Sequence, residues 1–236
     1  MANILLIHGA GHGAWCWRDV VPALRAMGHT ALAIDLPSHG DDPTPSEGVT
    51  LDDYAASVLR NMSPRTVIVG HSLGGLSITA AAVEAPEKIA ALVYLCAWVP
   101  VPGVALTDYR EKGATRALRN ASEFNATSDT AVFDRKAAAD LFYHDCTPAD
   151  RDFALDRLTP QPMSPHRTPI AAPDPTIPCY YIRCLQDRAI DPAYQIRASG
   201  DWPASHVLDM DTGHSPFFAA PDRLAQILDT IAKAAT

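Results

Sequence analysis

The apolar positions of the chain follow two alternating patterns. Short aliphatic runs, such as Ile4 to Ile7 and Val67 to Val69, are typical of strands buried on both faces. Stretches with apolar residues three and four positions apart lie between these runs and predict helices. This alternation predicts an α/β fold, in which helices flank a mostly parallel sheet of about six strands. We expect strands near Ile4, Ala31, Val67, Leu92, Tyr180 and Val207, and helices near Val20, Tyr54, Leu76, Tyr194 and Leu224.

The alternation fails between residues 98 and 178. This segment offers two short helical patterns, Thr130 to Phe142 and Pro148 to Leu158, and then prolines at positions 160, 162, 165, 169, 173, 175 and 178. Such a run cannot hold regular structure, and because it lacks glycine it favours a stiff, extended return to the sheet. We therefore predict a core of residues 1–97 and 179–236, with residues 98–178 inserted as a helical cap.

Composition agrees with one globular catalytic domain. The 236 residues are 47% hydrophobic and 19% charged, and 27 acidic against 19 basic side chains give a net charge of −8. This net negative charge gives no indication of a basic surface that would bind nucleic acid or an anionic membrane. No run is apolar enough to cross a bilayer and no signal-peptide pattern precedes Ile4, so we expect a cytoplasmic protein. Five cysteines without metal-ligand spacing predict reduced, buried thiols and no metal site.

The third predicted strand runs into Gly70-His71-Ser72-Leu73-Gly74-Gly75, and small residues that suit a helix follow. In a Gly-x-Ser-x-Gly turn between a strand and a helix, strained backbone geometry lifts the serine hydroxyl above the sheet edge. The structural alternative is a glycine-rich turn in which serine caps the helix. The strand before the motif and the helix after it favour Ser72 as a nucleophile.

A second glycine-rich loop, His8 to Gly13, follows the first predicted strand. In acyl transfer the carbonyl oxygen becomes an oxyanion, which backbone N–H groups can stabilise. Hydrolases with this kind of nucleophile turn use the N–H after the nucleophile and one from an early glycine-rich loop. Leu73 and Ala10 would supply these donors here, while a tight surface turn is the alternative for the loop.

An acid and a histidine follow the last two predicted strands, Asp187 after the fifth strand and His214 after the sixth. The chain order serine, acid, histidine is the order expected of α/β-hydrolases. His214 would take the proton of Ser72 and return it to the leaving group, while Asp187 would fix the imidazole tautomer.

Three further carboxylates, Asp191, Asp209 and Asp211, lie close enough in the chain to rival Asp187. Any of them could equally be a cap, a turn residue or a solvated surface group. Asp187 is favoured because it stands immediately after the carboxyl end of a strand, where open α/β sheets place their chemistry.

Two aromatic or imidazole side chains are candidate substrate contacts. Trp98 leaves the sheet at the entrance to the predicted cap, and His12 lies in the early glycine-rich loop. A histidine in such a loop more often ties the loop down by hydrogen bonding, so both roles stay open for His12.

Together these motifs resemble those of compact α/β-hydrolases in the group of plant methyl esterases, salicylate-binding esterases and hydroxynitrile lyases. The resemblance covers most of the length and rests on blocks 8–17, 35–40, 70–75 and 97–100, with Gln186-Asp187 and Gly213-His214. It implies an α/β-hydrolase fold, a triad of Ser72, Asp187 and His214, and oxyanion donors at Ala10 and Leu73.

One position departs from the patterns of this group. Hydroxynitrile lyases resemble one another in a Gly-x-x-His-Lys pattern around the catalytic histidine, whereas this chain has Ser215 after His214. They also commonly carry threonine in the early loop, where this chain has Ala10. Without a fixed cation near the leaving group, cyanohydrin cleavage loses its main electrostatic support. The methyl esterases usually have an apolar residue at the position of Ser215, which makes Ser215 a candidate determinant of substrate preference.

The predicted function is a cofactor-independent serine carboxylesterase of the EC 3.1.1 class, which cleaves a small-molecule ester through an acyl-enzyme on Ser72. A hydroxynitrile-lyase-like activity, a carbon–carbon bond hydrolase and a small-ligand receptor with little turnover stay open as alternatives. These patterns determine neither the acyl and alcohol parts of the substrate nor the choice between a monomer and a homodimer.

Overall fold

A computed structural model of the protein describes residues 1–109, 116–174 and 176–235. Its strands are β1 (Asn3–Ile7), β2 (Thr30–Ile34), β3 (Thr66–His71), β4 (Ile89–Leu95), β5 (Ser122–Asn125), β6 (Thr130–Phe133), β7 (Gln161–Pro162), β8 (Cys179–Cys184) and β9 (Val207–Met210). Six of them form one parallel sheet in the order β2-β1-β3-β4-β8-β9. The six predicted strands are confirmed, and each belongs to this sheet.

Helices cover both faces of the sheet. They are α1 (Val20–Ala26), α2 (Leu51–Arg60), α3 (Gly74–Glu84), α4 (Leu106–Tyr109), α5 (Arg116–Asn120), α6 (Arg135–Tyr143), α7 (Pro148–Leu155), α8 (Ser164–Arg167), α9 (Pro192–Ala198), α10 (Pro216–Ala219) and α11 (Pro221–Ala235). The five helices predicted for the core are confirmed as α1, α2, α3, α9 and α11.

Two hydrophobic cores lie on opposite sides of the sheet. Along β1, Ile4 and Leu6 pack in the core that includes α1 and α11, whereas Leu5 and Ile7 pack in the core that includes α2 and α3. Every residue of β3 and β4 is buried because both faces are covered. This burial fixes the carboxyl ends of the central strands, where the candidate residues lie.

The inserted segment contains strands that the sequence did not predict. Strands β5, β6 and β7 form a small antiparallel sheet. The helical interpretation of Thr130 to Phe142 is wrong for its first four residues, which form β6. The Asp134 side chain accepts the Ala137 N–H at 2.8 Å and caps α6, so the helix begins only after this position.

The proline run also holds some regular structure, contrary to expectation. Gln161 and Pro162 form β7, which among the described residues pairs with β6 alone. An edge strand tolerates a proline because one side needs no ladder hydrogen bond. Pro165 lies in the first turn of α8, where a missing N–H costs nothing. Pro175 lies outside the described residues. Within the described ranges, no helix is both long and apolar enough to span a bilayer.

Candidate active site

Ser72 occupies the tight turn between β3 and α3. Its backbone is left-handed, with φ of 53°, and the residue is 7% exposed. A Cβ on Gly70 would lie 2.6 Å from the Gly74 carbonyl oxygen, and one on Gly74 would lie 2.7 Å from the His8 carbonyl oxygen. Only glycine therefore lets the helix approach the strands this closely, and the sharp turn that the motif requires is present.

Asp187 and His214 are in direct contact. Nδ1 of His214 lies 2.8 Å from Oδ2 of Asp187, and both side chains are almost wholly buried. Oδ2 also accepts the side-chain N–H of Gln195 at 2.9 Å, and Oδ1 accepts the backbone N–H groups of Ala189 and Ile190 at 2.7 and 2.9 Å. A carboxylate held at both oxygens can fix the orientation and tautomer of the imidazole.

The three rival carboxylates all have other partners. Asp191 caps α9 by accepting the Ala193 N–H at 2.7 Å. Asp209 forms an ion pair with Arg183, and Asp211 accepts a hydrogen bond from the Gln186 side chain at 2.7 Å. Among these four acids the structure brings only Asp187 to His214.

The loop that carries Ala10 packs against Ser72, since a Cβ on Gly9 would lie 2.8 Å from the Ser72 Cβ. The Gly9 carbonyl accepts His8 Nδ1 at 2.8 Å and the His12 backbone N–H at 3.2 Å. In a trans peptide the N–H points opposite to the C=O, so the Ala10 N–H points away from these donors.

Two amide donors beside Ser72 are available to a ligand. Within the described part of the chain, neither the Ala10 N–H nor the Leu73 N–H donates a hydrogen bond. Both residues line the same cavity as Ser72. Such a pair of unused donors is what a developing oxyanion requires.

The cavity above Ser72 has a volume of about 380 Å³. Ser72 and His214 both line it, so the hydroxyl and the imidazole meet the same ligand space. Most of its other walls are apolar, including Trp98, Leu106, Leu118, Phe133, Phe142 and Met163. A pocket of this size and lining suits a small organic molecule that carries one reactive polar group.

The three candidate substrate contacts differ in position. Trp98 and His12 line the cavity, although both are almost fully buried. Both ring nitrogens of His12 are engaged, Nδ1 with the Ala10 carbonyl and Nε2 with the Tyr143 hydroxyl. Ser215 is wholly buried and is not among the cavity-lining residues, so the structure gives no support for a substrate contact there.

One group of side chains in the described ranges has the spacing of metal ligands. Ligand atoms of His71, Cys96 and His214 lie within 4.8 Å of one another. Nε2 of His71, however, is 2.8 Å from the His214 carbonyl oxygen and must donate to it. Burial raises the pKa of the Cys96 thiol well above its usual value, so this sulfur stays protonated. Two members of the group, His71 and Cys96, thus contact the His214 carbonyl and support the backbone of that residue.

Two glutamines at the site were missed from the sequence. Gln195, on α9, holds the Asp187 carboxylate, and Gln161, on β7, accepts the Gly11 N–H at 3.1 Å with its Oε1 atom. Gln161 lies 150 residues from Gly11 in the chain. Neither glutamine belongs to a motif, and only the folded chain brings them to the loop and to the acid.

Comparisons with known proteins agree with this geometry. The model of the Alpha/beta hydrolase family matches residues 4–227. Methylesterase 2 of Arabidopsis thaliana is 31% identical over 98% of this chain and 95% of its own length. A solved pyrethroid hydrolase from Sphingobium faniae JZ-2 superposes with a TM-score of 0.88 and 28% identity, covering 99% of this chain and 98% of its own. The chain therefore belongs to the α/β-hydrolase family, in the group of the plant methylesterases, and is an esterase-type hydrolase.

Proposed function

We propose that the protein is a serine carboxylesterase that cleaves a small carboxylic ester through an acyl-enzyme on Ser72. The observation that carries this proposal is the joint placement of Ser72 and His214 on one cavity, with Asp187 hydrogen-bonded to Nδ1 of His214. The esterase names of the relatives support ester cleavage over cyanohydrin cleavage, and a small alcohol such as methanol is the expected leaving group.

In the proposed mechanism, His214 removes the hydroxyl proton of Ser72 as the serine oxygen attacks the ester carbonyl carbon. The N–H groups of Ala10 and Leu73 stabilise the oxyanion that forms. Collapse of this intermediate expels the alkoxide, which takes the proton from His214 and leaves as the alcohol. Water then attacks the acyl-enzyme, His214 again moves the proton, and the carboxylic acid is released.

We assign residues 98–178 the role of a cap that shapes the pocket. Leu106, Leu118, Phe133 and Phe142 come from this segment and line the cavity. Their side chains exclude water from the space above Ser72, which strengthens the electrostatic contribution of the amide donors. The apolar part of the lining favours an acyl group of aromatic or branched aliphatic character, and Arg119 and Arg167 also line the cavity.

Replacement of the nucleophile tests this proposal. We expect Ser72→Ala to lower kcat for p-nitrophenyl esters by about four to six orders of magnitude, with the fold retained. A fluorophosphonate should label the unmodified protein at Ser72 with a stoichiometry of one, as read by mass spectrometry of peptides.

The matched control is Ser77→Ala. Ser77 is buried in α3, its hydroxyl has no hydrogen-bond partner among the described residues, and it does not line the cavity. We expect this variant to retain full activity and phosphonate labelling. A Ser72→Ala protein that keeps most of its turnover would exclude the mechanism.

A further inference from the structure

Tyr143, in the inserted segment, is hydrogen-bonded to His12 in the loop that carries Ala10, although the two residues lie 131 positions apart in the chain. The Tyr143 hydroxyl, at the end of α6, lies 2.7 Å from Nε2 of His12. Nδ1 of the same imidazole lies 2.8 Å from the Ala10 carbonyl oxygen. Tyr143 and His12 are each 1% exposed, so water does not compete for these hydrogen bonds.

The partners determine which nitrogen of His12 carries the proton. A carbonyl oxygen can only accept, so Nδ1 must donate to Ala10. Nε2 of the neutral ring then has a lone pair and accepts the hydroxyl proton of Tyr143. Burial lowers the pKa of His12 to about 3, which keeps the ring neutral at any pH used for an esterase assay. The Ala10 carbonyl therefore fixes the Nδ1–H tautomer, and the Tyr143 hydroxyl donates to the lone pair that this tautomer leaves on Nε2.

The inserted segment also holds the next peptide unit of the loop. Gln161 Oε1 accepts the Gly11 N–H at 3.1 Å, and the Thr159 N–H donates to the Gly11 carbonyl at 2.9 Å. The peptide between Ala10 and Gly11 is thus held at its carbonyl by His12 and at its N–H by Gln161. The Ala10 N–H belongs to the preceding peptide, whose Gly9 carbonyl accepts His8 Nδ1 and the His12 N–H. With both peptides held, the Ala10 N–H has little freedom to turn away from the cavity.

We propose that Tyr143 is a positioning residue for the oxyanion loop, and that it acts through His12 on the Ala10 peptide without touching the substrate. Tyr143 is not among the residues that line the cavity. Without its hydroxyl, Nε2 of His12 becomes a buried acceptor that has lost its donor, and the ring loses one of its two anchors. A ring that turns to find a new donor for Nε2 moves its Nδ1–H away from the Ala10 carbonyl and loosens the loop. This inference rests on the proposed esterase function.

Tyr143→Phe tests the inference, because it removes the hydroxyl and keeps the ring that packs against Phe142. We expect kcat to fall about tenfold, less than the loss of a whole oxyanion donor, with KM within about twofold of the unmodified enzyme. The inhibition constant of an aryl trifluoromethyl ketone, whose serine adduct carries an oxyanion, should rise by the same factor.

The matched control is Tyr94→Phe. Tyr94 is also buried and its hydroxyl also makes a 2.7 Å hydrogen bond, to Thr79, but this residue touches neither the loop nor the cavity. Both kcat and the inhibition constant should stay within about twofold of the unmodified values. A general effect of losing one buried hydroxyl would instead appear in both variants.

A double-mutant cycle shows whether the effect passes through His12. In a His12→Ala protein, Tyr143→Phe should cause no further change in the inhibition constant. A Tyr143→Phe enzyme with unchanged kcat and inhibitor affinity overturns the inference, even if its melting temperature is lower, and so does a change confined to KM. A Ser72→Ala enzyme that remains active overturns the proposed function instead, so the two failures are distinct.

Discussion

Within the described ranges of the chain, four hydrogen bonds hold the Asp187 carboxylate, and one of them comes from His214. Asp187→Asn keeps the size of the side chain but puts an NH2 group where an oxygen now accepts. Because every partner is a donor and each oxygen accepts two of them, the two contacts at the NH2 position must break. The two backbone N–H groups keep the remaining oxygen at the Oδ1 position, so the NH2 group faces His214 and favours its wrong tautomer. We expect kcat to fall about 10⁴-fold with KM little changed, as measured with a p-nitrophenyl ester.

Asp209→Asn is the matched control for this substitution. Asp209 lies on the neighbouring strand, and its partner, Arg183, is a partly exposed surface residue. Removal of a surface ion pair has little effect on stability or on the site, so kcat should stay within about twofold. If Asp209→Asn were the damaging change and Asp187→Asn were not, the assignment of the acid would be wrong.

Residue by residue, the sequence predicts the part of the site that strand ends bring together. Ser72, Asp187 and His214 each follow a strand of the six-stranded sheet, and parallel strands deliver their carboxyl ends to one edge of the sheet. Gln195 and Tyr143 carry no such signal, because their roles depend on side-chain contacts made only after helices have packed. A buried glutamine or tyrosine looks the same in sequence whether it holds a carboxylate or fills a core.

At the scale of elements, the contact between α3 and β1 sets the position of the Leu73 N–H. A Cβ on Gly74 would lie 2.7 Å from the His8 carbonyl oxygen and 2.9 Å from that of Ile7. We expect Gly74→Ala to lower the free energy of unfolding by about 2 kcal/mol or more, since neither backbone carbonyl can yield easily. The helix must shift, so kcat should fall as well. Urea unfolding and ester turnover measure the two effects.

Gly200→Ala separates this contact from the general effect of adding a methyl group. Gly200 follows α9, and the nearest atom to an added Cβ there is the Ile196 carbonyl oxygen at 3.2 Å. The unfolding free energy should change by less than about 1 kcal/mol and kcat should not change. Equal losses in the two variants would contradict the proposed contact.

The elements of the core were predictable and those of the inserted segment only partly so. The central strands β3 and β4 are buried on both faces, and such strands appear in the sequence as nearly continuous apolar runs. The strand Thr130–Phe133 leads almost directly into α6, so one apolar pattern covers both and gives no sign of the change. The two-residue strand Gln161–Pro162 exists only through its pairing with β6, and two residues are too short to show a period.

At the scale of the whole molecule, the structure keeps several histidines neutral by burying them. Burial lowers the pKa of His8, His12, His39 and His71 below the ordinary value, to about 3 for His12. In the unfolded chain each would take up a proton near pH 6.5. The folded state therefore has its full stability above pH 6.5 and loses stability as the pH falls below this value.

The resulting pH dependence can be measured by urea unfolding between pH 7.5 and 5. Each neutral histidine costs about 1.4 kcal/mol per pH unit once the unfolded chain is protonated there. The three histidines with the largest pKa shifts, His8, His12 and His71, therefore give about 4 kcal/mol per pH unit. The carboxyl groups whose pKa values are lowered, such as Asp53, act only below this window. If the free energy of unfolding changed by less than about 1.4 kcal/mol between pH 6 and 5, which is the effect of a single proton, these imidazoles would be protonated inside the folded protein.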